Sequence, residues 1–238
     1  MVQTALKTAA TAQPEQGAPS HNQMGQRLGR KGLETRERII SAMLSLLSKP
    51  DNQPVTLTTI AKAADVRLTN LYRYFPDLGS LLLAALDRLM ASADSVFLYQ
   101  LRNRWSDETL FEDALEFLQA HFSFWQNNAR LLHLRNSLAD NSDLRVVEHR
   151  NTTSKPAILL LARQLSAKSD SLISPENHLA AIVLHAGIER LATVLTNPLL
   201  APYLEDTGGR NEGAHPQDLI CAEAEILSIT VREKRRIG

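Results

Sequence analysis

Thr56-Leu57-Thr58-Thr59-Ile60-Ala61-Lys62-Ala63-Ala64-Asp65-Val66-Arg67-Leu68-Thr69-Asn70-Leu71-Tyr72-Arg73-Tyr74-Phe75-Pro76 is the stretch on which the fold turns. Thr56 stands where an N-cap belongs, ahead of Leu57, Ile60, Ala61 and Ala64 at helical spacing. Asp65-Val66 reads as a tight break, and a further short helix is expected over residues 68–75. Pro76 stops it, since proline has no N–H to donate. Upstream, Ile39, Ile40, Met43, Leu44, Leu46 and Leu47 form a broad apolar face from Thr35 to just before Pro50. Downstream, a long helix opens near Asp77 and runs through Leu81, Leu82, Leu86 and Leu89. Short helices with a tight turn, packed on longer ones, suggest helix-turn-helix geometry. In that motif one helix braces and the next inserts its N-terminal side chains into the major groove.

The third helix carries suitable chemistry. Arg67 and Arg73 can reach phosphates or guanine edges, Asn70 can pair with adenine, and Thr69 can donate, accept or touch a thymine methyl. Tyr72 and Tyr74 offer hydroxyls for phosphates, and Leu71 and Phe75 fasten the helix to its neighbours. Packing competes with reading at Tyr72 and Phe75 and is the favoured role there. Lys62 reads first as a solvated helix face and next as a phosphate contact.

These residues resemble the TetR family of bacterial transcriptional regulators. Residues 56–66 are similar to the family's Thr-x-x-x-Ile-Ala-x-x-Ala-Gly-Val, and residues 71–75 to its Leu-Tyr-x-x-Phe, at matching separation. Arg36, with Ile39, Ile40 and Ala42, is similar to its first helix, so the likeness covers about residues 33–92. It implies duplex contacts from Arg36, Thr56, Lys62, Arg67, Thr69, Asn70, Tyr72, Arg73 and Tyr74. It also implies a second domain that binds a small-molecule effector and makes a homodimer through residues 175–196 and 216–232. The implied function is repression at a palindromic operator, released by the effector. Departures from the pattern are Asp65 for the turn glycine, Arg67 for the capping serine, Thr69 for a glycine, and Leu78-Gly79 for a phosphate-binding lysine.

The rest of the chain sets bounds. Its 26 Lys and Arg balance 26 Asp and Glu, yet residues 1–76 carry a net +5 and the remainder −5, so the basic part is the one suited to a polyanion. Cys221 is the only cysteine among 238 residues, which excludes an intramolecular disulfide and a cysteine-based zinc site. The apolar runs at residues 81–86 and 158–162 are far shorter than the roughly 20 residues of a bilayer span, and residues 1–25 have no apolar signal core. A cytoplasmic protein with no membrane contact is expected. Three segments follow: a disordered leader with a basic arm (1–32), a helix-turn-helix domain (33–92), and a helical effector-binding and dimerisation domain (93–238).

In that last segment, helices are expected from Ser106 through Phe122, around residues 131–138 and over residues 144–165. Ser174-Pro175-Glu176 is a strong start signal for another, ending near Asn197-Pro198. Pro216 opens the last one, after a loop at residues 201–215. With no period-two alternation anywhere, the fold class is all-α. Aromatics cluster at Trp105, Phe111, Phe117, Phe122, Phe124 and Trp125. Such a cluster is either core or the wall of an effector pocket, with Trp105, Phe117, His121, Phe122, Trp125 and His133 as candidate contacts and Arg130 as a further polar handle. The basic stretch at residues 232–236 reads as a solvated tail complementing its helix dipole.

Enzyme motifs are missing: no phosphate loop, no Gly-x-Ser-x-Gly, no His-Glu-x-x-His. His178 and His185 are about 10 Å apart along a helix, too far for one ion, so neither metal nor cofactor is expected. Two alternatives stay open: a helical ligand-binding or interaction module that has lost DNA binding, and an enzyme on a helical scaffold.

Overall fold

The computed structural model describes residues 27–49, 54–168, 172–200 and 215–237, and among these there is no strand. The expected leader, residues 1–26, and most of the 201–215 loop lie outside the described residues.

Helix α1 (Arg30–Leu47) buries Ile39, Ile40, Met43 and Leu47 on one face. It begins ahead of the apolar period, so Arg30 and Lys31, read above as part of an arm, form its first turn. That turn is held by polar contacts the apolar pattern does not report: Arg30 pairs with Glu34 at 3.7 Å, and the Thr35 hydroxyl donates to the Lys31 carbonyl. Helix α2 (Leu57–Ala63) has a reciprocal cap, in which the Thr59 amide donates to Thr56 Oγ1 and the Thr56 amide to Thr59 Oγ1.

The turn after α2 explains how an aspartate replaces glycine. Asp65 has φ 51°, and the amides of Asp65 and Val66 donate to the carbonyls of Lys62 and Ala61, the crossed pair of a Schellman ending. The left-handed position costs an L-residue roughly 1–2 kcal/mol, less for Asp than for most. Asp65→Gly is therefore expected to raise stability by about 0.5–1 kcal/mol, after the glycine's extra unfolded-state freedom is counted. Thermal melts test this; a lowered Tm would contradict the strain.

Helix α3 (Leu68–Leu71) is shorter than expected. Arg73 and Tyr74 donate back three residues, to Asn70 and Leu71, and these tight turns take the chain to Phe75 and Pro76. Helix α4 (Leu78–Met90) is capped by Asp77, which accepts from the Ser80 amide at 2.7 Å, and buries Leu81, Leu82, Ala85 and Leu86.

A short α5 (Ala93–Val96) and a 3-10 turn (Leu98–Leu101) lead to α6 (Leu110–Asn127) and α7 (Ala129–Asp140). The longest helices follow: α8 (Leu144–Gln164), α9 (Pro175–Leu195) and α10 (Pro216–Ile237). Ser174 caps α9 through the Asn177 amide with Pro175 at its first position, as the sequence signal indicates. α6 packs on α9 and α10, and α8 on α9. By length and composition alone α9 would suffice to cross a membrane, which the short apolar runs do not reveal. Here it packs within the bundle and carries an ion-paired Glu189.

Two arginines correct the expectations. Arg235 is no solvated tail: with its side chain 6% exposed, it donates to the carbonyls of Gln164 and Trp105 and pairs with Asp107. Buried Gln164 in turn donates to the carbonyls of Leu101 and Asn103, so this network satisfies backbone groups left over between α8, α10 and the 3-10 turn. Arg130 is no pocket handle: it donates to the carbonyls of Leu46 and Lys49 and so closes the C-terminal end of α1.

Candidate nucleic-acid interface and effector groove

Leu71 and Phe75 are buried and anchor the third helix, while Arg67, Thr69, Tyr72 and Arg73 are exposed and Asn70 and Tyr74 half-buried. Tyr72, expected to pack, is 45% exposed, because the tight turns after Leu71 rotate it off the buried face. Lys62 is exposed on α2. Among the described residues no ion-pair partner occupies Lys62, Arg67 or Arg73. Two cations, Arg67 and Arg73, thus share a short, apolar-anchored element with Thr69, Asn70, Tyr72 and Tyr74, and Lys62 stands on the helix before it.

Two of the expected contacts are already engaged within the protein. Thr56 is spent on the cap of α2. Arg36 is a brace rather than a free phosphate ligand: its guanidinium lies 5.1 Å from the Phe75 ring centroid, its side chain is 12% exposed, and burial lowers its pKa. Arg38, outside the motif residues, donates to the Ala64 carbonyl at 3.0 Å and fixes α1 to the end of α2.

The aromatic cluster is core. Trp105, Phe117, Phe124 and Trp125 are buried, with Phe97 5.1 Å from Phe124 and edge-on to His121 at 5.0 Å. His121 is buried too, and Phe122 borders a void of only about 10 Å³. His133 shares a hydrogen bond with Thr196 Oγ1, and burial lowers its pKa. None of the six candidate effector contacts lines the large cavity. Phe97 packs among these rings, against Phe117, His121 and Phe124.

That cavity, about 760 Å³, is a groove between α8 and α9 bordered at one end by Asn136 and Asp140 of α7. Ser154, Ile158 and Leu159 form one wall, and Ile182, His185 and Ala186 the other. Glu189 at its base accepts from Arg135 (3.0 Å), Trp125 Nε1 (3.1 Å) and His121 Nε2 (3.3 Å). Burial alone would raise its pKa, but the His121 bond and the Arg135 charge hold the carboxyl far below its usual range. Burial lowers the pKa of His185 against the pull of Glu189, which favours a neutral ring. His178, His185 and Glu189 all reach the groove, though no group of metal-binding side chains forms among the described residues.

No protein-family model matches the chain. Over 62 residues it is 44% identical to the HTH-type transcriptional repressor KstR of Rhodococcus jostii strain RHA1, a match spanning 26% of this chain and 29% of that repressor. The Mycobacterium tuberculosis H37Rv KstR is 32% identical over 90 residues, 38% of this chain and 36% of its own length. The matches thus span about a third of these repressors. A Streptomyces coelicolor TetR-family regulator superimposes with a TM-score of 0.61 at 16% identity, over 89% of this chain and 85% of the regulator. Its fold is that of the TetR family. A further solved structure, from Streptomyces coelicolor A3(2), agrees at a TM-score of 0.56 and 18% identity, over 82% of this chain and 98% of the other.

Against the TetR pattern the departures have local causes. Arg67 caps α3 by position with no side-chain bond, leaving its guanidinium outside. At Gly79, a Cβ would meet Asp143 Oδ2 at 2.6 Å and Arg145 Nη2 at 2.8 Å, so a larger residue there would displace the ends of these two side chains. Arg145 bridges Asp77 (3.1 Å) and Asp143 (2.7 Å), whose carboxyl pKa values it helps to lower. In this chain the position of the family's lysine lies against the Asp143–Arg145 start of α8.

Proposed function

We propose that the chain is a dimeric, effector-responsive DNA-binding repressor acting in the cytoplasm, with a reading head at residues 33–92 and an effector and dimerisation region at 93–238. The observation that carries it is the third helix, which presents Arg67, Thr69, Tyr72 and Arg73 outward on the buried Leu71 and Phe75, its cations without an ion-pair partner among the described residues. The named relatives are repressors, which fits this head. Arg36 and Thr56, engaged within the protein, support the head rather than contact the duplex. α9 and α10 leave Leu179, Val183, Ile226 and Ile229 exposed, an apolar face suited to a second copy. Two heads on a two-fold axis would read half-sites about one helical turn apart.

Selection of bound duplexes from a random DNA pool, followed by salt titration, tests this. A palindromic consensus with affinity falling steeply in salt is expected. Asn70→Ala should relax base preference at one position by about 1–3 kcal/mol, whereas Lys62→Ala should weaken all sequences alike and reduce the salt slope by about one. Identical behaviour of the two variants would show that the recognition helix is misassigned. No enrichment at all would favour the module without DNA binding.

A further inference from the structure

The groove between α8 and α9 has a polarity along its length. α8 and α9 are joined by a short connection and pack antiparallel, so residues late in α8 face residues early in α9. Ile158 and Leu159 accordingly share one end with Ile182 and with His178, the one ionisable side chain there, while Arg150 and Asn151 share the other with Arg190, Asn136 and Asp140. Lys155 stands between the two ends. From Arg150 to Leu159 the α8 wall extends about 13 Å at the helical rise per residue.

The charges in the groove do not cancel. Glu189 is saturated by its three donors, and Asp140 is 3.9 Å from Arg150. Lys155 and Arg190 have no ion-pair partner among the described residues. Three cationic side chains, Arg150, Lys155 and Arg190, thus line a volume typical of small-ligand sites against two carboxylates, Asp140 and Glu189, and buried Arg135 behind the lining already pairs with Glu189. We infer that this groove binds an anionic amphiphile, its carboxylate held by Lys155 and Arg190 and its apolar body lying along Ile158, Leu159 and Ile182. An uncharged ligand would leave the two cations partnered only by water. A cationic ligand would find the acidic groups already engaged. The inference names the effector class for the regulator proposed above and rests on that reading only for its effect on DNA; binding itself does not depend on it.

The probes are decanoate, decanol and decylamine, kept below their aggregation limits and added to the full-length protein without DNA. Fluorescence reports on Trp125, whose indole donates to the Glu189 carboxylate at the base of the groove, and thermal shift provides a second readout. Decanoate is expected to bind at least about tenfold more tightly than decanol, the worth of one charge-assisted contact, and decylamine weakest. Lys155→Met with Arg190→Met should erase the advantage of decanoate over decanol and leave decanol binding in place. Ile182→Asp should weaken both. Equal binding of all three probes, or an advantage that survives the double substitution, would overturn the inference. Binding as expected without any change in duplex affinity would leave the anion site standing and refute the effector role.

Discussion

Replacing Arg135 by methionine is expected to destabilise the protein by about 3 kcal/mol, toward the lower end of the cost of stripping one partner from a buried ion pair. The Arg135 side chain is 4% exposed, donates to Glu189 Oε2 at 3.0 Å and lies 5.4 Å from the Trp125 ring centroid. Methionine fills much of the volume but leaves Glu189 with His121 and Trp125 alone. Water entering the groove screens that carboxylate in part, which sets the lower end. The acid limb carries a second signature. Glu189 has a lower pKa folded than unfolded, so its contribution is complete above the unfolded value near 4.5 and drains away as pH falls below it. Arg135→Met should flatten that limb, and Arg135→Met with Glu189→Leu should recover most of the lost stability, since neither charge then stays buried alone. Denaturant unfolding at pH 7 and pH 4, at fixed protein concentration, measures all three. A loss under about 1 kcal/mol, the scale of an exposed pair, would mean that water reaches both charges freely.

What could be read from the sequence was local. Thr56 before Leu57, and Ser174 before Pro175, announce helix starts because a cap bonds an amide two or three residues on. Asp65 was legible as the turn because it stands in the place of a glycine, and aspartate tolerates a left-handed φ better than most residues. The reading head followed from these marks, with Leu71 and Phe75 buried beneath it. Where the outcome depended on distant partners, the sequence was silent. Arg235 looked like a tail because Trp105 and Gln164, whose carbonyls it holds, are far away in the chain. Arg130 and Arg36 were misplaced likewise, one drawn to the end of α1 and the other to the face of Phe75. The candidate effector contacts among the aromatics lie off the groove for a different reason. Aromatic density marks burial, and large rings fill space instead of enclosing it. The groove comes from two mostly polar helix faces meeting at small or short residues such as Ala186 and Ser154, a pattern with no periodic signature.

The proposed dimer gives the other large effect: Leu179→Glu with Val183→Asp is expected to leave the protein monomeric and to abolish tight operator binding. Leu179 and Val183 are 63% and 71% exposed in the protomer, and Ile226 and Ile229 of α10 are 53% and 57% exposed. A branched apolar side chain contributes about 1.5–3 kcal/mol when fully buried, and two-fold symmetry counts each substitution twice. Since about two thirds of each side chain is left to bury, four of them removed from one interface weaken dimerisation by roughly 4–8 kcal/mol, about three to six decades in the dimer Kd. The carboxylates facing one another across the axis add repulsion to this. Because the replaced side chains already face solvent in the protomer, its helical content and core should survive. Circular dichroism therefore separates loss of the dimer from loss of the fold, while sedimentation velocity reports the mass. Operator affinity should drop with the dimer, since a single head meets only one half-site. A variant that stays dimeric would place the contact away from this face of α9. A folded monomer that keeps full operator affinity would mean that one head suffices, and the palindromic reading of the operator would have to be abandoned.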